Sequence, residues 1–511
     1  MTSVTGKSRV GLLGAVLLTV ASGCGPTTEE QEPSQEAPIP VEEVAERPNP
    51  ERRGIGSMPL PPPPTAPTAQ TLGVDPRRSL VVTEQAIVSR FSFLDVMNQL
   101  VGTSGVPTTP LSLFQQWWDT QRLGPGLGLG PNCNSPGIAN MNNFLYTCPR
   151  AEGNQATVDP FINPTTNPNA YIAVGLFNRF DLASSSGADC GEYRVVFAKR
   201  SGITNPGDRN LVIFEAVLPN PNPAAGLEGC RPVANFWSGL SSDPDVNSRA
   251  SKLRDFYFMG LPGFMPVIHI DNLGNRQGST GQVRTNQFMA LGTPTDWLLR
   301  EFKIRRDCST TPCKVQFIPV TVKTNPGGPL FNPGSGHPQA FNFQNAVFPS
   351  QVPSLAVNDI NRFSLSVPDN LNSGQSNSQH PMENHYVNQF GTGASAFRAN
   401  IQNQLNAIPS TLTPDNMVAR AQALSCAGCH QLSNGANLGG GIIWPNSLRF
   451  THISEQVEPG PDGNRHRISP ALNTTFLPHR KAVLETFLNA SCGDAVCDAW
   501  ETRSVCAADC R

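Results

Sequence analysis

The middle of the chain contains two apolar stretches, YRVVFA at residues 193–198 and LVIFEAVL at residues 211–218. Both are rich in β-branched and aromatic residues, and clusters of Asn, Gly and Pro bound them, which is the pattern of β-strands. The pattern recurs at irregular separations, so it predicts a sheet without a repeat unit. The other predicted strands are Tyr171–Phe177, Val267–Ile270, Gln282–Met289, Trp297–Phe302 and Val315–Val322.

Helical patterns lie on both sides of this strand-rich region. Residues 91–100 and 113–120 place their apolar side chains on one helical face. A third helix is predicted from Thr413, which can act as the N-cap, with Pro414 in the first turn. A fourth is predicted from Pro478. Strands and helices together predict an α+β fold.

Composition limits the classes of function. The chain has 511 residues, including 45 Gly and 48 Pro, and only 15% of its residues are charged. Gly and Pro break helix interiors, which disfavours a helical bundle. The formal net charge is -2, whereas a nucleic-acid-binding protein needs a basic face to neutralise phosphates. We therefore expect no nucleic-acid partner.

The N-terminus has the pattern of an export signal. A short basic region precedes the apolar run Val10–Ala21, which is shorter than the roughly 20 residues that cross a membrane. The sequence ASGC at residues 21–24 then resembles a bacterial lipobox, with Ala in the place of the usual Leu. The resemblance implies cleavage before Cys24 and lipidation of this cysteine, and Gly25 after it implies the outer membrane. An ordinary signal peptide is the alternative.

The most specific motif is C-A-G-C-H at residues 426–430. Two thiols at this spacing can each form a thioether to a haem vinyl group, and the adjacent His430 can then bind the iron. Composition alone gives roughly 0.005 such pentapeptides by chance. The motif and its flanking helices resemble the c-type cytochromes. The resemblance implies one covalent haem c on Cys426 and Cys429, with His430 as the proximal iron ligand. A redox dithiol, half of a zinc site and a structural disulfide are the alternatives.

The sequence departs from that family at the sixth iron ligand. The usual ligand is a Met downstream of the motif, but the last Met of this chain is Met417, which lies upstream. His452, in an apolar and strand-like segment, is the first candidate for the distal ligand, and His479, at the start of the closing helix, is the second. His466 lies between two arginines and is predicted to be solvated. A five-coordinate iron is the alternative.

The other cysteines are expected to form disulfides, because export leads to an oxidising compartment. Their order suggests the local pairs Cys133 with Cys148, Cys190 with Cys230, and Cys308 with Cys313. Four more, Cys492, Cys497, Cys506 and Cys510, form a short C-terminal module that resembles modules of bacterial surface proteins. Its oxygen ligands could bind Ca²⁺, and they are Asp494, Asp498, Glu501 and Asp509. A disulfide knot without an ion is the alternative.

These patterns divide the chain into five predicted segments. They are a lipoprotein signal peptide at 1–24, a disordered Pro-rich tether at 25–78, a large strand-rich domain of unknown function at 79–410, a small and mainly α cytochrome c-like domain at 411–490, and a Cys-rich module at 491–511. The large domain has no nucleophile elbow, zinc-protease motif or Walker loop. His380, Glu383 and His385 are predicted to lie in a solvated loop. Glu192 and Glu215 are predicted to be structural partners of Arg194 or Arg179.

The sequence therefore predicts an exported, lipid-anchored haem protein of the outer membrane, on its periplasmic or cell-surface face. We expect it to transfer single electrons to or from an unidentified redox partner protein. Two other functions stay open. One is a surface binding or adhesion protein in which Cys426 and Cys429 form a disulfide. The other is a haem enzyme such as a peroxidase.

Overall fold

The computed structural model of the protein describes residues 73–138, 140–289, 296–309, 311–490 and 497. Cys497 is disulfide-bonded. Among the described residues, no helix is both long enough and apolar enough to cross a membrane. Several predictions lie outside these ranges. They concern the signal peptide with Cys24, the tether up to residue 72, the cysteines Cys492, Cys506 and Cys510, and the Ca²⁺ ligands Asp494, Asp498, Glu501 and Asp509.

The largest element is an antiparallel sheet of eight strands. The strands are β1 (Val81–Val82), β2 (Tyr171–Arg179), β3 (Asp189–Lys199), β4 (Asn210–Pro219), β5 (Gln282–Gln287), β6 (Leu298–Asp307), β7 (Lys314–Val320) and β8 (Ser376–Asn377). Strands β1 to β7 are neighbours in chain order, and β8 pairs with β6. A separate hairpin pairs β9 (Ile453–Gly460) with β10 (Gly463–Ile468).

The described residues also form twelve α-helices, besides 3₁₀ and π-helical segments. They are α1 (Pro76–Ser79), α2 (Gln85–Val88), α3 (Phe93–Ser104), α4 (Pro110–Asp119), α5 (Arg231–Ser242), α6 (Val246–Phe258), α7 (Ala340–Asn342), α8 (Phe348–Leu355), α9 (Tyr386–Phe390), α10 (Ala396–Asn406), α11 (Pro414–Leu424) and α12 (Leu477–Asn489). Thr413 caps α11, since its hydroxyl accepts a hydrogen bond from the Asn416 amide. The eight-stranded sheet and these helices together confirm the predicted α+β fold class.

One predicted strand is wrong. Val267–Ile270 forms no strand, and a short 3₁₀ helix, Ile270–Leu273, starts at its end. The three apolar residues of the segment are all buried, and His269 accepts a hydrogen bond from the Asp271 amide, which caps the 3₁₀ helix. A short buried apolar run has the same sequence pattern in a loop as in a strand, because burial rather than hydrogen bonding selects its residues.

The three predicted local disulfides are present. They join Cys133 to Cys148, Cys190 to Cys230, and Cys308 to Cys313. The paired cysteines are 15, 40 and 5 residues apart in the sequence. The prediction from cysteine order is confirmed for these six residues.

The two faces of the sheet carry different side chains, because successive residues of a strand point to opposite faces. One face is apolar and aromatic and packs against α3 and α4. Phe93 lies with its ring centroid 5.1 Å from that of Phe197, and Trp117 stacks on Phe317 at 5.2 Å. The other face carries polar residues between apolar ones, such as Arg194 of β3. This mixed face forms one wall of the site described below.

The C-terminal segment packs against the rest of the chain. Residues on both sides of the predicted boundary between 410 and 411 belong to one apolar core. At the end of β2, Phe180 packs against Phe487 of α12, with ring centroids 4.7 Å apart. Ile453 packs on β2, where a side chain at Gly175 would overlap it. These contacts hold the segment that carries the C-A-G-C-H motif against the sheet.

Arg420 of α11 connects the helix to two loops. Its side chain is fully buried, and burial lowers its pKa to about 10. The guanidinium donates hydrogen bonds of 2.8–3.2 Å to the carbonyls of Leu355, Val357, Leu438 and Gly439 and to the side chain of Asn358. The position of the helix that leads into the motif therefore depends on one side chain.

Arg420→Met should lower the free energy of unfolding by about 3 kcal/mol or more, because it leaves several buried carbonyls without donors. Chemical denaturation followed by circular dichroism measures this change. The control is Lys252→Met, because the side chain of Lys252 is 52% exposed and forms an ion pair with Asp243 at the surface. That variant should lose about 1 kcal/mol or less. Equal losses in the two variants would contradict the role given to Arg420.

Candidate functional site

A cavity of about 240 Å³ lies between the mixed face of the sheet and the C-terminal segment. The sheet contributes alternate residues of β2 to β5, which follow from the strand register. They include Arg179, Arg194, Val196, Ile213 and Arg284. The C-terminal segment contributes Cys426, Cys429, His430, His452 and Arg480. Four of the predicted site residues, the two cysteines and two of the histidines, thus line one cavity.

The motif follows the end of α11 at Leu424 and continues as a short helical segment that includes the π-helix Gly428–Leu432. The Gly428 amide donates to the Ser425 hydroxyl at 3.0 Å, and the Cys429 amide donates to the Ser425 carbonyl at 2.9 Å. A Cβ atom at position 428 would overlap the carbonyl oxygen of Gln422. The glycine of the motif is therefore required for this backbone path, which brings both cysteines to the cavity.

Both thiols of the motif are free. Burial raises the pKa of Cys426 to about 11 and that of Cys429 to about 12. At neutral pH both are therefore protonated, whereas a reactive redox dithiol needs a lowered thiol pKa. Among the described residues, no group of three or more His, Cys, Asp and Glu side chains could hold a metal ion.

His430 is held in one orientation and in one tautomer. Its Nδ1 lies 2.7 Å from the carbonyl oxygen of Phe450, and because a carbonyl only accepts, Nδ1 carries the proton. The ring also stacks on Trp297, with centroids 5.2 Å apart. Burial lowers the pKa of His430 to about 4, so the ring is neutral at pH 7. A backbone carbonyl on Nδ1 is the usual support of a metal-binding histidine, because it leaves the lone pair of Nε2 available.

His452 lies directly before β9 and beside His430. Its Nδ1 is 2.9 Å from the Ser469 hydroxyl and its Nε2 is 3.3 Å from the sulfur of Cys429. Burial, and next the nearby His430, lower its pKa well below the usual value. The two imidazole centroids are 4.7 Å apart. The centroids of two imidazoles that bind one metal from opposite sides are farther apart than this, since each metal–nitrogen bond is roughly 2 Å long.

The other downstream histidines do not line the cavity. His479 of α12 is buried, and its Nε2 has no hydrogen-bond partner among the described residues. His466 of β10 is only 2% exposed, so the prediction that it is solvated is wrong. Strand alternation turns His466 inward while its two arginine neighbours point outward, and its amide donates to the Thr83 carbonyl at 2.9 Å.

The charged residues of the sheet wall are paired. Arg194 forms ion pairs with both Glu192 and Glu215, as the sequence predicted for these carboxylates. Arg284 pairs with Glu215 at 3.4 Å and with Glu301 at 3.1 Å. The carboxylates are buried, so each guanidinium is compensated inside the protein.

A buried polar layer supports the motif from the side of β8. The Ala427 amide donates to the Ser376 hydroxyl at 2.9 Å, and Ser376 donates to the side chain of Asn384. Next to it, Gln375 donates to Glu383 at 2.8 Å. Glu383 is 6% exposed, which corrects the prediction of a solvated loop for this residue. A sequence rich in Asn and Ser is typical of a solvated loop, but here these side chains form hydrogen bonds with one another inside the protein.

The stability of this layer should depend on pH. Burial raises the pKa of Glu383 to about 8, so at pH 7 it is protonated in the folded chain and ionised in the unfolded chain. The folded state binds the extra proton, and its stability therefore falls as pH rises from about 4.5 to about 8. Glu383→Gln should remove this part of the pH dependence, which amounts to at most about 1.4 kcal/mol per pH unit.

The measurement is urea denaturation of wild type and Glu383→Gln at pH 5, 6, 7 and 8. The variant should become more stable relative to wild type as pH rises. Glu458→Gln is the control, because that carboxylate is 35% exposed, and its pH profile should follow the wild type. A constant difference between Glu383→Gln and wild type across this range would show that Glu383 is ionised in the folded protein.

In comparisons with protein-family models, with curated proteins and with solved structures, nothing matches this chain. The motif residues that line the cavity were predicted from the sequence, whereas Arg284 and Arg480 were not. Arg284 had a local signal, because it is a lone charge within an otherwise uncharged predicted strand. Arg480 had none, since only the packing of α12 brings it to the cavity.

Proposed function

We propose that this chain is a c-type haem protein, with haem attached covalently to Cys426 and Cys429 and with His430 as the proximal iron ligand. One observation carries the proposal: two free thiols and a histidine with an available Nε2 line the same cavity. The residues present fit this group. The thiols can add to its vinyl groups, and the apolar residues of the sheet wall suit the flat macrocycle.

The bound haem would supply an iron that takes up and releases one electron. The residues of this chain determine how that iron is held. The Phe450 carbonyl fixes the tautomer and direction of the His430 ring, and Trp297 covers one ring face. The paired charges of Arg194 and Arg284 would contribute a fixed electrostatic field in the cavity, and such a field is one means of tuning a redox centre.

Full-length protein from a host that matures c-type cytochromes tests this function. A redox titration followed by optical spectroscopy should show a reversible change of one electron per chain. Steady-state turnover with peroxide and a reduced donor should stay at the level of free haem. Fast turnover would overturn electron transfer as the function and favour a haem enzyme.

His452 is the proposed sixth ligand. Nε2 of His452 lies 3.3 Å from the Cys429 sulfur, which would carry no proton once it is part of a thioether. Ligation also requires the ring to move, because it lies beside His430 rather than opposite it. His452→Ala should convert a low-spin ferric spectrum to a high-spin one in electron paramagnetic resonance. His479→Ala is the matched control and should leave the signal unchanged. Identical spectra for wild type and His452→Ala would contradict this assignment.

We also propose that the protein acts at the cell envelope, anchored to the outer membrane through lipidated Cys24. The support is the lipobox-like sequence at residues 21–24. Wild type should incorporate labelled palmitate and sediment with membranes. Cys24→Ala should do neither, and equal labelling of the two chains would contradict lipidation at this cysteine.

A further inference from the structure

One arginine of the cavity has fewer carboxylate partners than Arg194 and Arg284, which each have two. Arg480, in the first turn of α12, is only 6% exposed and lines the cavity. The acid nearest to it is Asp181, with a Nε–Oδ2 distance of 3.8 Å. Asp181 is already held by Arg179, which donates to its two oxygens at 2.9 and 2.8 Å. Among the described residues, no side chain or carbonyl accepts a hydrogen bond from Arg480.

This arrangement leaves the Arg480 guanidinium free to bind an additional acceptor. A guanidinium has five donors and no acceptor, and a buried charge needs partners to offset its desolvation. Burial, and next the neighbouring charge of Arg179, lower the pKa of Arg480 to about 9. Arg194 and Arg284 each face two carboxylates. Among these three arginines, Arg480 is thus the one to which a bound anion would supply the missing hydrogen-bond acceptors and negative charge.

The walls near Arg480 indicate the rest of the ligand. Leu472 and Phe476, which precede α12, line the cavity together with Val196 and Ile213 of the sheet. An anion that fits here has a carboxylate, which matches the planar fork of a guanidinium, and an apolar body. A strongly hydrated inorganic anion would leave the apolar walls uncovered.

We propose that Arg480 is a carboxylate-binding residue inside this cavity. The carboxylate belongs either to the haem, as one of its propionate groups, or to a small free carboxylate that enters the cavity. The first source rests on the proposed function, and the second does not.

The test uses the full chain in a haem-free form, Cys426→Ala/Cys429→Ala, with benzoate as the probe and benzamide as its neutral counterpart. A ligand that binds only the folded state raises the thermal midpoint with its concentration. At constant ionic strength, benzoate should raise the midpoint and benzamide should not. Adding Arg480→Gln should remove the benzoate response, whereas adding Arg398→Gln should leave it unchanged.

The same benzoate response with and without Arg480→Gln would overturn the proposal. If Arg480→Gln does not fold, Arg480→Lys replaces it, because lysine keeps the positive charge without the planar guanidinium. The rise of the thermal midpoint with benzoate should then be at least several-fold smaller than with Arg480. The haem-loaded wild type then identifies the source. Loss of the benzoate response there assigns the site to a propionate, and retention assigns it to a free carboxylate. The thermal midpoints of the haem-free variants test Arg480 in the same way even if the wild type carries no haem, so failure of the proposed function and failure of this proposal give different results.

Discussion

Cys426→Ala/Cys429→Ala should abolish covalent haem and leave a folded chain. Both thiols face the cavity, and neither is part of a disulfide, so their loss removes the attachment chemistry without opening a cross-link. The contact from Cys429 to His452 is the one side-chain hydrogen bond lost among the described residues. We expect a destabilisation of the haem-free chain of about 1–2 kcal/mol. Haem stain on a denaturing gel and circular dichroism measure the two effects.

The matched control removes a different cysteine pair. Cys190→Ala/Cys230→Ala breaks a disulfide whose cysteines do not line the cavity, so it should lower stability by about 2–5 kcal/mol while the folded fraction keeps its haem stain. The two double variants should therefore show opposite patterns. A stained band for Cys426→Ala/Cys429→Ala would contradict attachment at these residues.

His430→Gly should separate attachment from ligation. The thioethers need only the two cysteines, so haem stain should persist, whereas the iron loses its proximal nitrogen. The reduced protein should lose its sharp α band, and millimolar imidazole should restore it, because the removed side chain leaves space beside Trp297 and the Phe450 carbonyl. Optical spectra with and without imidazole measure this. His466→Gly, in the β9–β10 hairpin, is the control and should keep its α band.

An unchanged spectrum of His430→Gly would contradict the assignment of His430 as a ligand. A spectrum that changes but does not respond to imidazole would show that the substitution alters the fold of the motif rather than ligation alone.

Local signals explain which parts of this protein could be predicted. The strands around residues 193–198 and 211–218 could be predicted because their β-branched and aromatic residues, and the Asn, Gly and Pro clusters that bound them, are contiguous in the sequence. The C-A-G-C-H motif is contiguous, and the three disulfides join cysteines that are close in sequence. These features need no knowledge of tertiary packing.

The support of His430 and the position of Arg480 arise from contacts between segments that are apart in the sequence. The carbonyl of Phe450 reaches His430 across 20 residues, and Arg480 reaches the cavity only because α12 packs on the sheet. Glu383 was misjudged because the polar residues around it bond to one another inside the protein instead of to water. Composition describes how polar a segment is, but it does not show whether water or protein satisfies its polar groups.

The most direct test of the account is the mass of one tryptic peptide. Cleavage after Arg420 and Arg449 releases residues 421–449, which contain Cys426 and Cys429 and no other cysteine. From exported wild-type protein made with c-type cytochrome maturation and digested without reduction, we predict the peptide mass plus one haem. A peptide lighter by two hydrogens, which is a disulfide, or one that takes up two alkyl groups on its free thiols would contradict the central claim.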